Sequence, residues 1–297
     1  MAADRSIGRN VHLYDAKDRV TLLGGLILTN GVTKANFYSM VENFLLFQSS
    51  FSIEHETSAT LEKNEEPLPR GDYYVVGSFT VSKEPFLTRT ISLSTGSRLQ
   101  SFRDEIRRRD GRCVITGNIV LGAYRNHWKG FEAAHIFPLA YEGHWVQHNF
   151  ARWIIIPAAN GETINSKQNG LLLRADIHGL FDNYDISINP DDNHKIVCFA
   201  DDGNDIAGKF LDEQFRNDPD RPCDELLRWH FRQAVFANMR SAGEPIFEID
   251  FPPGSDVLGE MCGGPKAAER MEFELFSRFA VSSVITWRYG SEVSNTN

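Results

Sequence analysis

The sequence predicts an α+β fold, and three observations carry that expectation. Short β-branched and aliphatic runs open the chain, amphipathic helical stripes occur near both ends, and a central stretch mixes clustered His, Trp, Asn and Asp with brief apolar runs. With 297 residues, 41% of them hydrophobic, there is enough apolar surface for a buried core. Against 31 Lys and Arg stand 40 Asp and Glu, a formal charge of −9, which argues against coating DNA by bulk electrostatics. Any nucleic-acid contact must be local.

The first elements follow from period. In VHLYDAKDRVTLLGGLILT, residues 11 to 29, two short strands flank a charged turn at Asp15 to Asp18. Thr33 then caps a helix whose Phe37, Met40, Val41, Phe44 and Leu45 recur at helical spacing and form a core stripe. Residues 50 to 71 are polar and acidic and end in Pro-x-Pro-x-Gly, which predicts a linker. DYYVVGSFTVS alternates as a strand, and SRLQSFRDEIRRRD reads as a helix ending at Gly111. Further on, HKIVCFA predicts a strand, while RPCDELLRWHFRQAVFANMR, with Pro222 in its first turn, and PKAAERMEFELFSRFA predict helices. The last residues, GSEVSNTN, read as a frayed tail. Three regions result: an N-terminal β/α segment with its linker at 1–71, a central domain at 72–200 with its core at 103–190, and a C-terminal helical region at 201–297.

Four cysteines, at 113, 198, 223 and 262, include no C-x-x-C pair, so reduced thiols and no structural zinc are expected. The start of the chain has no apolar signal region, and the longest aliphatic run, Leu22 to Leu28, is far below the ~20 residues a membrane helix needs. The expectation is an intracellular protein, cytoplasmic or nuclear, without a membrane segment.

Three central segments carry chemistry when taken together: FEAAHIFP at 131 to 138, QNGLLL at 168 to 173, and DIHGLFD at 176 to 182. The first reads as a strand and the last as a helix on which His178 and Asp182, four apart, share a face. Such a nitrogen and oxygen pair is a workable claw for a divalent metal, and it needs a third partner.

The order His135-x-x-Pro138, Asn169, then His178-x-x-x-Asp182 resembles the HNH endonucleases. The preceding RRRDGRCVITG is similar to the entry segment of one branch of that family, the branch with an Ala-Ala-His-Ile first motif found in fungal HNH-domain proteins. The resemblance covers residues 103 to 190, roughly a third of the chain. It implies a ββα-metal finger, too small to supply its own core and so embedded in a larger domain built from the N-terminal strands and helix and the C-terminal helices. It implies metal-dependent hydrolysis of phosphodiester bonds in DNA.

Under that resemblance His135 is the base, because an imidazole with an ordinary pKa near 6.5 accepts a proton at pH 7. His178 and Asp182 hold the metal, Mg²⁺ first with Mn²⁺ or Zn²⁺ as alternatives. Asn169, opening the helix segment, pins the loop and orients the base. In many HNH nucleases an Asp or His just before the catalytic histidine also ligates the metal, and here that place is Ala134. The period of a strand puts Glu132 on the same side as Ala134, within longer reach of the ion.

Other readings stay open beside these. A degenerate HNH fold serving as a nucleic-acid- or protein-binding module is the rival to catalysis, and RNA or branched DNA are rival substrates. Arg103, Arg107, Arg108, Arg109 and Arg112 are either a solvated helix face or a phosphate clamp, with Arg108, Arg109, Arg112 and Arg174 as the candidate contacts. His144 and His148 offer a weaker alternative metal pair. Cys113 suits a buried apolar role, and Trp128, Trp145 and Trp153 suit packing of the hairpin.

Overall fold

A computed structural model of the chain describes residues 5–84, 86, 87, 97–241 and 243. β1 (Val11–Asp15) and β2 (Leu22–Leu26) form the antiparallel hairpin expected around the charged turn. Thr33 then starts α1 (Lys34–Phe44) with a capping box: its hydroxyl accepts from the Asn36 amide at 3.1 Å, and the Asn36 side chain accepts from the Thr33 amide at 3.2 Å. The chain continues through β3 (Leu45–Phe47), β4 (Ser52–His55), β5 (Gly71–Val76) and β6 (Phe79–Val81). A four-stranded sheet has the order β2-β1-β5-β4, with β1 and β5 parallel and the other neighbours antiparallel. Val11, Leu13, Ile53, Tyr73 and Val75 point inward, and Phe37, Met40, Val41 and Phe44 of α1 join the same core.

The expectation of a linker at 50 to 71 is corrected here. Residues 52 to 55 form a sheet strand, and Leu61 and Leu68 are buried in the core. The segment looks polar because its few apolar residues are spaced without a regular period, and each is used. A boundary after residue 71 also falls inside β5, whose first residue, Gly71, lies opposite Val11.

α2 (Ser97–Asp110) ends at Gly111, which has φ +60 and so terminates the helix in the left-handed region. Then come β7 (Phe131–His135), α3 (Glu142–Gln147), β8 (Gly170–Arg174), α4 (Ala175–Asp182), β9 (Ile186–Asn189) and β10 (Lys195–Cys198). β7 and β8 pair antiparallel, with Glu132 opposite Leu173 and His135 opposite Gly170. One face of this hairpin contributes Ala134, Leu171 and Leu173 to a core that includes Ile177 and Phe181 of α4. The other face sets Leu172 and Ala133 against Phe102 and Ile106 of α2, Val120 and Trp128. Asn169 stands before β8, not at the start of α4 as expected.

After the short α5 (Glu213–Arg216), the long α6 (Asp224–Met239) joins both cores. Its Leu226, Leu227 and Trp229 enter the hairpin's core, and its Phe231, Ala234, Val235, Phe236 and Met239 enter the N-terminal one. Pro222 precedes the helix rather than entering its first turn, and Cys223 stands at the N-terminal boundary without a side-chain bond to the helix. Where α6 meets β2, a Cβ on Gly24 would lie 2.2 Å from the Met239 carbonyl oxygen, so only glycine permits that approach. The buried His230 accepts from Ser187 at Nδ1 (2.7 Å) and donates from Nε2 to the Phe181 carbonyl (3.1 Å), tying α6 to β9 and α4. The described part of the C-terminal region is thus built into both cores. The helix expected at 265 to 280 and the terminal tail lie outside the described residues. Among those described, no helix is long and apolar enough to cross a membrane.

A buried ion pair joins α2 to the hairpin. Arg109 bonds both Asp110 carboxylate oxygens, at 2.5 and 2.9 Å, and Asp110 accepts from the Leu172 amide of β8 at 2.8 Å. Both side chains are out of solvent. Removing one partner leaves the other charge buried and uncompensated. Asp110→Ala is therefore expected to cost about 3–5 kcal/mol in urea denaturation, whereas Arg103→Ala on the exposed side of α2 should cost no more than about 0.5 kcal/mol.

Candidate active site

Glu132, His178 and Asp182 meet on the α4 side of the hairpin. His178 projects from the second turn of α4, its Nδ1 2.6 Å from a Glu132 oxygen and its Nε2 3.2 Å from Asp182 Oδ2. Burial pulls the His178 pKa down, but the two carboxylates, Asp182 foremost, outweigh it and the net shift is upward. Glu132 is well exposed and His178 mostly buried, so the cluster forms part of the surface.

His135 occupies the other side. Along β7, Ala133 and His135 face α2, while Glu132 and Ala134 face α4. The imidazole lies flat on Phe102, with ring centroids 3.8 Å apart and planes within 10°. Gly170, opposite His135, makes room for this: a Cβ there would come within 2.4 Å of the Phe102 ring. His135 Nε2 is 3.2 Å from Oδ1 of the buried Asn165.

Asn169 acts on the turn that follows β7. Its Oδ1 accepts from the Phe137 amide (2.8 Å), and its Nδ2 donates to the carbonyls of Phe137 (3.1 Å) and Ile164 (2.8 Å). This closes the Ile136 to Pro138 turn onto the loop that bears Asn165.

The arginines divide. Arg109 is turned inward and donates to the carbonyls of Lys167, Gly170 and Asp220 besides pairing with Asp110. Arg174 forks onto Asp176 and also bonds Asn204. Arg108 is exposed, and Arg112 is half-exposed with a loose pair to Asp212 at 3.6 Å. Cys113 is fully buried, Trp145 is buried in the hairpin's core, and Trp128 and Trp153 pack against the cores.

These placements give the sequence pattern a three-dimensional sense: two antiparallel strands, a helix crossing one face, and the motif residues on them. Residues 113–189 match the HNH endonuclease family. The match spans about a quarter of the chain and contains β7, β8, α4 and β9. A second match, over residues 8–82, is to a family described as a domain of unknown function, DUF8573, and covers the four-stranded sheet with α1. No curated protein and no solved structure matches the chain. The HNH segment fits a ββα-metal fold within a mixed α+β architecture and points to nuclease activity in general.

HNH nucleases generally use a divalent metal, and the donor set allows a test of fit. His178 Nε2 and Asp182 Oδ2, 3.2 Å apart, stand at the separation of two neighbouring donors on one ion with bonds near 2.1 Å. Glu132 on Nδ1 is the outer carboxylate that ordinarily aims a ligating imidazole. No group of three or more His, Cys, Asp or Glu side chains is arranged to hold an ion among the described residues. The fit is therefore to a two-donor site, His178 and Asp182.

Sequence reasoning missed Phe102, Asn165 and Gly170. Asn165 sits in a loop with no periodic signal, Gly170 opens β8 without a side chain to mark its face, and Phe102 reads simply as an apolar helix residue. His144 and His148 do share helical geometry, with ring centroids 4.0 Å apart, and His144 also packs against Phe137 just past β7. Burial first, then the neighbouring His148, pushes the His144 pKa down to about 4. A histidine depressed below its unfolded value stabilises the fold above about pH 6.5, and that contribution is lost as pH falls toward 4. Denaturation midpoints of the wild type should drop between pH 6.5 and 4.5 more steeply than those of His144→Gln, and parallel curves would remove His144 as the cause.

Proposed function

We propose that this protein is a metal-dependent endonuclease that hydrolyses phosphodiester bonds in DNA. The observation that carries the reading is the 3.2 Å spacing of His178 Nε2 and Asp182 Oδ2, with Glu132 aiming the ring, on a hairpin and helix that match the HNH family. His178 and Asp182 would hold the ion, Mg²⁺ by preference, and Glu132 supports His178 from the outer side. When bound, a divalent cation supplies positive charge against the phosphate and the departing oxygen. For the ion to bind, His178 must release the proton that its two carboxylates favour.

His135 is the base. It takes a proton from the attacking water, and the flat contact with Phe102 holds its ring in place. Because His135 and the donor pair lie on opposite faces of β7, the scissile phosphate must reach across the strand's outer edge, the inner edge being taken by β8. Asn169 keeps the turn after His135 closed. Phosphate contacts fall to the exposed Arg108 and to Arg112, which can exchange its loose partner Asp212 for a phosphate. Arg174 shapes the start of α4 through Asp176.

A second reading, a degenerate HNH fold that binds without cutting, is favoured by the two-donor character of the site. Cleavage of supercoiled plasmid in Mg²⁺ or Mn²⁺ separates the two. His135→Ala should lose about 10²–10⁴-fold in rate with its circular dichroism unchanged, and a wild type inert in Mg²⁺, Mn²⁺ and Zn²⁺ on DNA and RNA alike would leave the binding module. Glu132→Ala should weaken the ion by about 10- to 100-fold, read as a shift in the Mn²⁺ concentration for half-maximal cleavage.

A further inference from the structure

The loop between α3 and β8 brings a second side chain to His135, beside Phe102. Asn165 is 4% exposed and stands between two partners: its Nδ2 donates to Glu162 Oε2 at 2.9 Å, and its Oδ1 lies 3.2 Å from His135 Nε2. The chemistry of this row leaves one consistent assignment. A carboxylate only accepts, so the amide NH₂ must face Glu162. The amide oxygen then faces His135, and an oxygen opposite a ring nitrogen requires that nitrogen to carry the proton. Nε2 is therefore the N–H, and in the neutral ring Nδ1 carries the lone pair.

We infer that Glu162 and Asn165 form a positioning relay that sets the tautomer of His135, so that Nδ1 is the atom that accepts the proton from water. This rests on the reading of His135 as the base. Glu162 orients the amide, the amide orients the imidazole, and Phe102 holds the ring plane from the side. Neither Glu162 nor Asn165 touches the reacting atoms. In the neutral form the ring gains its proton at Nδ1, becoming an imidazolium whose Nε2–H still donates to the Asn165 oxygen. A neutral acceptor at Nε2 therefore serves both states, and no proton moves along the relay.

The test uses the full-length protein labelled with ¹⁵N histidine. Long-range ¹H–¹⁵N correlation spectra distinguish the two neutral tautomers, and the His135 signals are identified by their absence in His135→Gln. At a pH where the ring is neutral, wild type should give the Nε2–H pattern. Asn165→Leu should give a mixed or reversed pattern and lower kcat at least about 10-fold, within the ~10²–10⁴ a general base supplies, with KM little changed. Glu162→Gln, which keeps an acceptor for the amide, should retain the wild-type pattern, and Glu162→Leu should not.

An Nδ1–H tautomer in the wild type overturns the relay, as does an Asn165→Leu variant with unaltered tautomer and kcat. The wild-type spectrum decides even where leucine at 165 prevents folding. An inactive wild type with the Nε2–H pattern would overturn the nuclease reading and leave the relay standing, so the two failures are distinguishable.

Discussion

The hairpin β7–β8 is apolar on both faces, and two strands cannot bury themselves. Leu171 and Leu173 need cover on one side and Leu172 on the other, and each of these side chains is worth about 1.5–3 kcal/mol when fully withdrawn from water. α4 covers the first face and α2 the second, while Asp110 accepts from the Leu172 amide to fix α2 in register with β8. α6 joins this arrangement to the rest of the fold by carrying one set of side chains in the hairpin's core and another in the core of the four-stranded sheet. The two matched segments of this chain thus both pack on a helix that neither match includes.

With both faces covered, polar chemistry is confined to the hairpin's rim. His135 is the last residue of β7 and Glu132 its second, and the odd spacing of three puts them on opposite faces. The consequence is a divided site. On one side an imidazole is held between an aromatic ring and an amide. On the other an imidazole is held between two carboxylates, an environment that favours the cation or its replacement by a metal. Two histidines of one central segment thus stand in opposite surroundings, one against a ring and an amide, the other between two carboxylates.

Much of the frame was legible because it rests on period. The α1 stripe, the β1–β2 hairpin, the strand at 131 to 135 and the helix bearing His178 and Asp182 all follow from spacings of two or of three and four. What stayed hidden depends on contacts between distant residues. Arg109 stands among charged neighbours in the sequence, yet its guanidinium reaches carbonyls at 167, 170 and 220 and leaves no face for a phosphate. Leu61 and Leu68 lie in a stretch that composition alone marks as a linker, because two buried leucines in a loop have no period to reveal them. Asn165 belongs with these: nothing in its local sequence indicates that it faces a histidine thirty residues earlier.

The Cβ of Ala134 is directed at the core that holds Ile177 and Phe181, and the residue is 1% exposed. A carboxylate or imidazole there would be taken out of water without a partner, at a cost of several kcal/mol. Two residues back along the same face the strand comes out into solvent, and Glu132 there meets His178 at 2.6 Å. The place before His135 is given to packing, and the carboxylate of this face stands two residues earlier, where it bonds Nδ1 of His178. The strand's alternation allows no intermediate choice: a side chain on this face is either under α4 or beyond its edge. An imidazole held between two carboxylates, Glu132 on Nδ1 and Asp182 on Nε2, is the arrangement that follows.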